Sequence, residues 1–180
     1  MSPFKKKVTE ESAARQFVSV KLQEGIDFWA TNYAALRDSF GDKFIIQDQS
    51  MGNVDLFLAK IALHTASLKN LFPPEQADRI RGWILKTLDT MEYGDYGRYE
   101  IEEYEGVYYK SVKLVENPVS AIAVRLLHKW LGANIADFGY EFGGKRTGTI
   151  GPLQSMLVTM IVSEGVGWKI IKDNLDIIEG

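Results

Sequence analysis

Enzyme chemistry needs nucleophiles, acid–base pairs or metal ligands at workable spacing, and this 180-residue chain offers few of them. It has no cysteine and only two histidines, His64 and His128. Thiol nucleophiles, iron–sulfur ligation, thiolate zinc sites and disulfides are therefore outside its repertoire. Neither histidine has a carboxylate or a second histidine three or four residues on, the spacing that brings two ligands to one helix face. No serine lies in a Gly-x-Ser-x-Gly setting.

Two spacings can be tested directly. Asp89, Gly94 and Glu100 match the first, sixth and twelfth positions of a calcium-binding loop, but Met91 and Tyr93 stand where oxygen ligands are required. Gly139 to Lys145 reads G-x-x-x-x-G-K, the pattern of a phosphate loop. Arg146 replaces the magnesium-holding hydroxyl, and the run from Thr147 to Pro152 cannot open the helix that such a loop needs. Both matches fail at the positions that carry the chemistry, so no metal site and no cofactor are expected. A weaker reading survives the second failure. Five glycines between 139 and 151, with Lys145 and Arg146, can present backbone N–H groups and two cations to a phosphate or carboxylate.

The most unusual feature is a tyrosine-rich acidic segment. Six of the eight tyrosines (Tyr93, Tyr96, Tyr99, Tyr104, Tyr108 and Tyr109) fall within 17 residues. Glu92, Asp95, Glu100, Glu102, Glu103 and Glu105 share that stretch, opposed by Arg98. Tyrosine offers a large, rigid contact area with a polar tip, and carboxylates around it steer a basic partner. The plainer alternative is that the tyrosines cap a core while the acids are solvated.

The elements that must position these residues are mostly helices. From a Thr9 N-cap, apolar residues recur at Ala14, Val18, Leu22, Ile26, Trp29, Tyr33, Leu36 and Phe40, one stripe held until Gly41-Asp42. Gly25 sits beside the stripe, and its cost of about 1 kcal/mol relative to Ala would be offset by another helix crossing closely there. Phe17, Val20 and Phe28 point to a different side, so this long helix either runs through the middle of the fold or shows a face to a partner. A second helix is expected from Ser50 or Asn53 to Leu71 and a third from Pro74, on Ala77, Ile80, Ile84, Leu88 and Met91. Asn117-Pro118 opens a fourth that ends at Gly132. A fifth runs from Leu153 to Ser163, and a last, amphipathic one from Trp168 to Glu179. Tyr93 to Glu116 resists this pattern: residues 98–112 read as a small β-hairpin turning at Gly106, or as an irregular or partly helical excursion.

The fold class expected is mainly α, a single-domain bundle of five or six helices over residues 9–180, after a disordered basic arm at residues 1–8. The longest apolar run, Leu153 to Val162, is about half of the roughly 20 residues that a membrane span needs. With a formal charge of −3 and a pI near 5.5, the chain has no basic excess for nucleic acid or anionic lipid. A cytoplasmic location is expected. The leading functional reading is a non-enzymatic interaction module, either a regulator, an adaptor or an assembly subunit, with a protein partner or a second copy of itself. Its surface would comprise Phe17, Val20, Phe28, Tyr96, Tyr99, Tyr104, Tyr108 and Tyr109. The alternative is a small-ligand protein or enzyme, with an apolar cavity between the helices that carry Trp29, Trp83, Trp130 and Trp168, and with Lys145 and Arg146 on an acidic group.

Overall fold

Thr9 closes an extended segment and opens a helix. Its backbone is extended and its hydroxyl accepts the Ser12 N–H at 3.1 Å, satisfying one of the donors that a helix start leaves unpaired. Helix α1 runs over Glu10–Phe40 and stops at Gly41, whose φ of 55° lies in the left-handed region that favours glycine. The computed structural model describes residues 5–46, 49–92, 94–132, 161 and 167–179. The other α-helices bounded within the described residues are α2 (Gln49–Ala66), α3 (Pro74–Asp89), α4 (Gly94–Lys113), α5 (Pro118–Leu131) and α6 (Trp168–Asn174). Pro74 and Pro118 occupy first turns, and the Asn117 side chain accepts the N–H groups of Val119 and Ser120. Two short strands, β1 (Lys6–Thr9) and β2 (Leu175–Ile178), pair in parallel with Lys6 opposite Leu175.

The fold is mainly helical, with a long N-terminal helix as the sequence predicts. Helix α1 packs on α2 and α3, α4 packs on α2 and α3, and α5 covers the α2–α4 side. Every residue of α2 from Asp55 to Leu63 is buried. One end of the core is aromatic: Trp29 and Trp130 meet at 5.0 Å between ring centres, and Phe44 packs against both. The other end joins Phe17, Phe72 and Trp168.

Three expectations are corrected. Residues 98–112 form no hairpin; they lie inside α4, whose buried positions Gly97, Glu100, Ile101, Tyr104, Glu105 and Ser111 repeat at helical spacing. Two of those buried positions are acids, which hide the stripe from an apolar count. The last helix ends at Asn174 instead of Glu179, because Leu175–Ile178 pairs with Lys6–Thr9. That same pairing gives Lys6, Lys7 and Val8 a defined strand in place of a disordered arm. The expected helix from Leu153 to Ser163 lies outside the described residues, apart from Ile161.

Gly25 and Gly52 make opposite predictions. At Gly25 a methyl group would lie 3.5 Å from Asn53 O and Phe57 Cβ, an ordinary contact at the α1–α2 crossing. At Gly52 it would overlap the fully buried Trp29 indole. Gly25→Ala should therefore leave stability unchanged or raise it by up to about 1 kcal/mol. Gly52→Ala should lower it by about 2 kcal/mol or more. Urea unfolding of both variants checks this, and an unaffected Gly52→Ala would refute the Trp29 packing.

Candidate functional site

Helix α4 carries most of the tyrosine–acid segment, and its dipole is well matched: Asp95 lies in the first turn, Lys110 and Lys113 in the last. Its inward face brings Tyr96, Glu100 and Tyr104 toward α2 and α5. There they meet Asp55 of α2 and Lys129 of α5. Lys129 Nζ donates to Asp55 Oδ1 at 2.6 Å and to Tyr96 Oη at 2.7 Å, and Tyr96 Oη donates to Asp55 Oδ1 at 3.1 Å. Glu100 Oε2 lies 2.9 Å from the same ammonium, close enough for charge pairing but without the alignment of a hydrogen bond. Asp55 and Glu100 are both buried. Burial works against the Lys129 charge, yet the contacts with Asp55, Tyr96 and Glu100 outweigh it and hold the pKa above the usual lysine value.

The Tyr96 ring leads outward from this cluster. It lines an open groove of about 290 Å³ with Ser50, Met51 and Val54. The Tyr104 hydroxyl lies on the inner side, buried and without a hydrogen-bond partner. Its pKa is raised well above the usual value by burial, then by the charges of Asp55 and Glu100.

A second buried polar group joins α1 and α2. Lys21 and Lys60, both buried, donate to the Glu24 carboxylate at 2.9 and 3.2 Å. His64 packs its ring edge-on against Phe17, 5.3 Å between centres. Burial first, and the charges of Lys21 and Lys60 after it, hold His64 down to about 3. Burial also lowers the Lys21 pKa, against the opposing pull of Glu24. Among the described residues there is no group of three or more histidines, cysteines or carboxylates that could hold a metal ion.

The expected interaction residues separate into three sets. Tyr96, Tyr99 and Tyr109 are exposed, while Tyr108, Val20 and Phe28 are half-buried. Phe17 and Tyr104 are corrected to core positions: Phe17 is enclosed by His64 and Trp168, Tyr104 by the junction of α2, α4 and α5. The second face of α1 is thus covered at Phe17 by the chain itself. Tyr96 and Tyr109 stand about 20 Å apart along the helix axis, so the tyrosines form no single patch. Three tryptophans fill the core, whereas Trp83 is half-buried under Lys86 and lines a small cleft of about 100 Å³ with Glu11 and Arg15. Lys145 and Arg146 lie outside the described residues. Sequence reasoning missed Asp55, Lys60 and Lys129. The available signal was a pair of charges, Asp55 and Lys60, set within an otherwise apolar run from Val54 to Leu63.

No family model matches this chain, and no curated protein or solved structure is significantly similar to it. None of the described helices is long and apolar enough to cross a membrane.

Lys129→Met leaves two buried carboxylates without their cation and should cost about 3–5 kcal/mol in denaturant unfolding. Arg98→Ala breaks only the exposed pair with Asp89 and should cost under about 1 kcal/mol. Equal losses in the two variants would contradict the burial assigned to Asp55 and Glu100.

His64 adds a pH dependence. In the unfolded chain it takes up a proton below about 6.5, whereas in the fold it stays neutral down to about 3. The unfolded state binds more protons through that window, so stability should fall as pH drops from 6.5 toward 3. The loss attributable to His64 is about 2 kcal/mol by pH 5, and His64→Gln should lack it when unfolding is compared at pH 8 and pH 5.

Proposed function

We propose that this chain is a non-enzymatic, cytoplasmic protein that works through protein–protein contacts, with the outward side of α4 and its C-terminal turn as the contact surface. One observation carries the reading. After Lys113 the chain turns with Val115 N–H bonded to Val112 O and Glu116 N–H bonded to Ser111 O, the two hydrogen bonds of a Schellman helix end. The residue at its pivot belongs in the left-handed region, where glycine is favoured. Here it is Val115, a β-branched residue at φ 58° and 94% exposed. A side chain held there at conformational cost, with no packing inside the fold to offset it, has its use outside. Exposed Leu114, Val112 and Tyr109 stand beside it in sequence, and Tyr99 is exposed nearer the start of the helix. Isolated exposed apolar residues are ordinary, whereas several beside a strained one support a contact surface.

Val115→Gly relieves the strain and should stabilise the fold by about 1 kcal/mol. The same change should weaken association. Native mass spectrometry of gently purified protein should find wild type with a second protein or a second copy at fixed stoichiometry, and should find that species depleted for Val115→Gly and for Leu114→Ser. A bare wild-type monomer, or a complex indifferent to both changes, would defeat the proposal.

A further inference from the structure

We infer that the groove beside Tyr96 is a socket for a lysine or arginine side chain of a polypeptide partner, with the apolar stem along Met51 and Val54 and the cationic head drawn to Asp55 and Glu100. The inference rests on the reading that this chain works by binding proteins.

The groove's shape and walls come first. About 290 Å³ of open space is lined, among the described residues, by Ser50, Met51, Val54 and the Tyr96 ring, a mainly apolar channel suited to a run of methylene groups. Charge behind its Tyr96 wall comes second. Tyr96 both lines the channel and touches Asp55 and Lys129 through its hydroxyl. Behind it two buried carboxylates, Asp55 and Glu100, share the single ammonium of Lys129. The neighbouring cation, Arg125, is paired with Glu103 at 3.4 Å, which offsets its charge, and its buried Nε is a donor without a partner. The cluster therefore keeps one negative charge in excess among the described residues, and it attracts a cation while repelling an acidic group.

The hydrogen-bonding state of the same cluster comes third. Tyr104 Oη is fully buried without a partner, and its raised pKa, caused by burial and then by Asp55 and Glu100, places it within their field. Glu100 Oε2 is buried, with the Lys129 ammonium 2.9 Å away but not aligned for a hydrogen bond. Buried polar atoms in folded proteins are almost always satisfied, and a carboxylate that shares one ammonium with a second carboxylate keeps acceptor capacity for a donor-only group. Ammonium and guanidinium heads are such groups. Lys129 already shows the binding mode in its own chain: its Nζ sits 5.1 Å from the centre of the Tyr96 ring, between the two carboxylates. Exposed Glu92 and Asp95, close to Tyr96 in sequence, extend the negative field outward and favour approach by a basic segment.

The test titrates ¹⁵N-labelled protein with a capped short peptide carrying one lysine between two leucines. The same peptide with norleucine for lysine, and hexylammonium chloride, serve as comparisons. Saturable shifts of the Met51, Val54 and Tyr96 amides are expected with the lysine peptide, and binding about ten-fold weaker with norleucine. Glu100→Gln should weaken the lysine peptide by a similar factor. Met51→Lys, at an exposed groove position that leaves the charge cluster intact, should abolish binding and keeps the test valid if Glu100→Gln fails to fold. Equal affinity for the two peptides would reduce the groove to a plain apolar surface and overturn the inference. So would saturation by hexylammonium alone, which would mark a small-amine site, or no shifts at all. If the peptide binds but the native protein is a bare monomer, the socket stands and the interaction reading of α4 falls. If association depends on Val115 but no lysine peptide binds, only the socket falls.

Discussion

Two charges lie inside the most enclosed helix of this fold, and their need for partners determines what surrounds it. From Asp55 to Leu63 α2 is buried throughout, and a charge in that setting is costly unless it is paired. Asp55 and Lys60 are five residues apart, about 140° around the helix, so they face different neighbours. Asp55 draws in Lys129 from α5 and Tyr96 from α4; Lys60 draws in Glu24 from α1. The placement of three helices around α2 follows from satisfying those two groups.

The same logic extends around the bundle. Arg79 and Arg81, two apart on α3, sit on opposite flanks of that helix. Arg79 makes a two-pronged bond to buried Glu10 of α1, and Arg81 makes another to buried Glu105 of α4. Apolar burial is indifferent to which helix supplies the surface, whereas a bidentate arginine–carboxylate pair accepts one partner in one orientation. Burial supplies the driving force here, and the polar pairs select which helices become neighbours.

What was legible in the sequence was whatever depends on nearby residues. The Thr9 cap, the Gly41 and Gly132 stops, the prolines opening α3 and α5 and the close crossing at Gly25 all rest on local chemistry. Helix α4 was hidden because Glu100 and Glu105 occupy core positions, where an apolar count expects leucine, and because its tyrosines and glycines also suit a hairpin. On α1 the buried line passes through Lys21 and Gly25, while Ile26 of the apparent stripe is exposed. Gly52 gave no warning, since its constraint comes from Trp29 on another helix. The candidate site was half visible. Tyr96 stood out in its segment, but Asp55 and Lys129 are distant in sequence and become partners only through the fold.

The parallel pairing of Lys6–Thr9 with Leu175–Ile178 bears on how the molecule is made. A ribosome releases the chain from its amino end, at roughly 5–20 residues per second. The first strand therefore emerges many seconds before its mate exists, and α1 must wait with one end unfastened. Helix pairs such as α1–α2 can dock while translation continues. The clasp between the strands can close only once Leu175–Ile178 has been made, after every described helix.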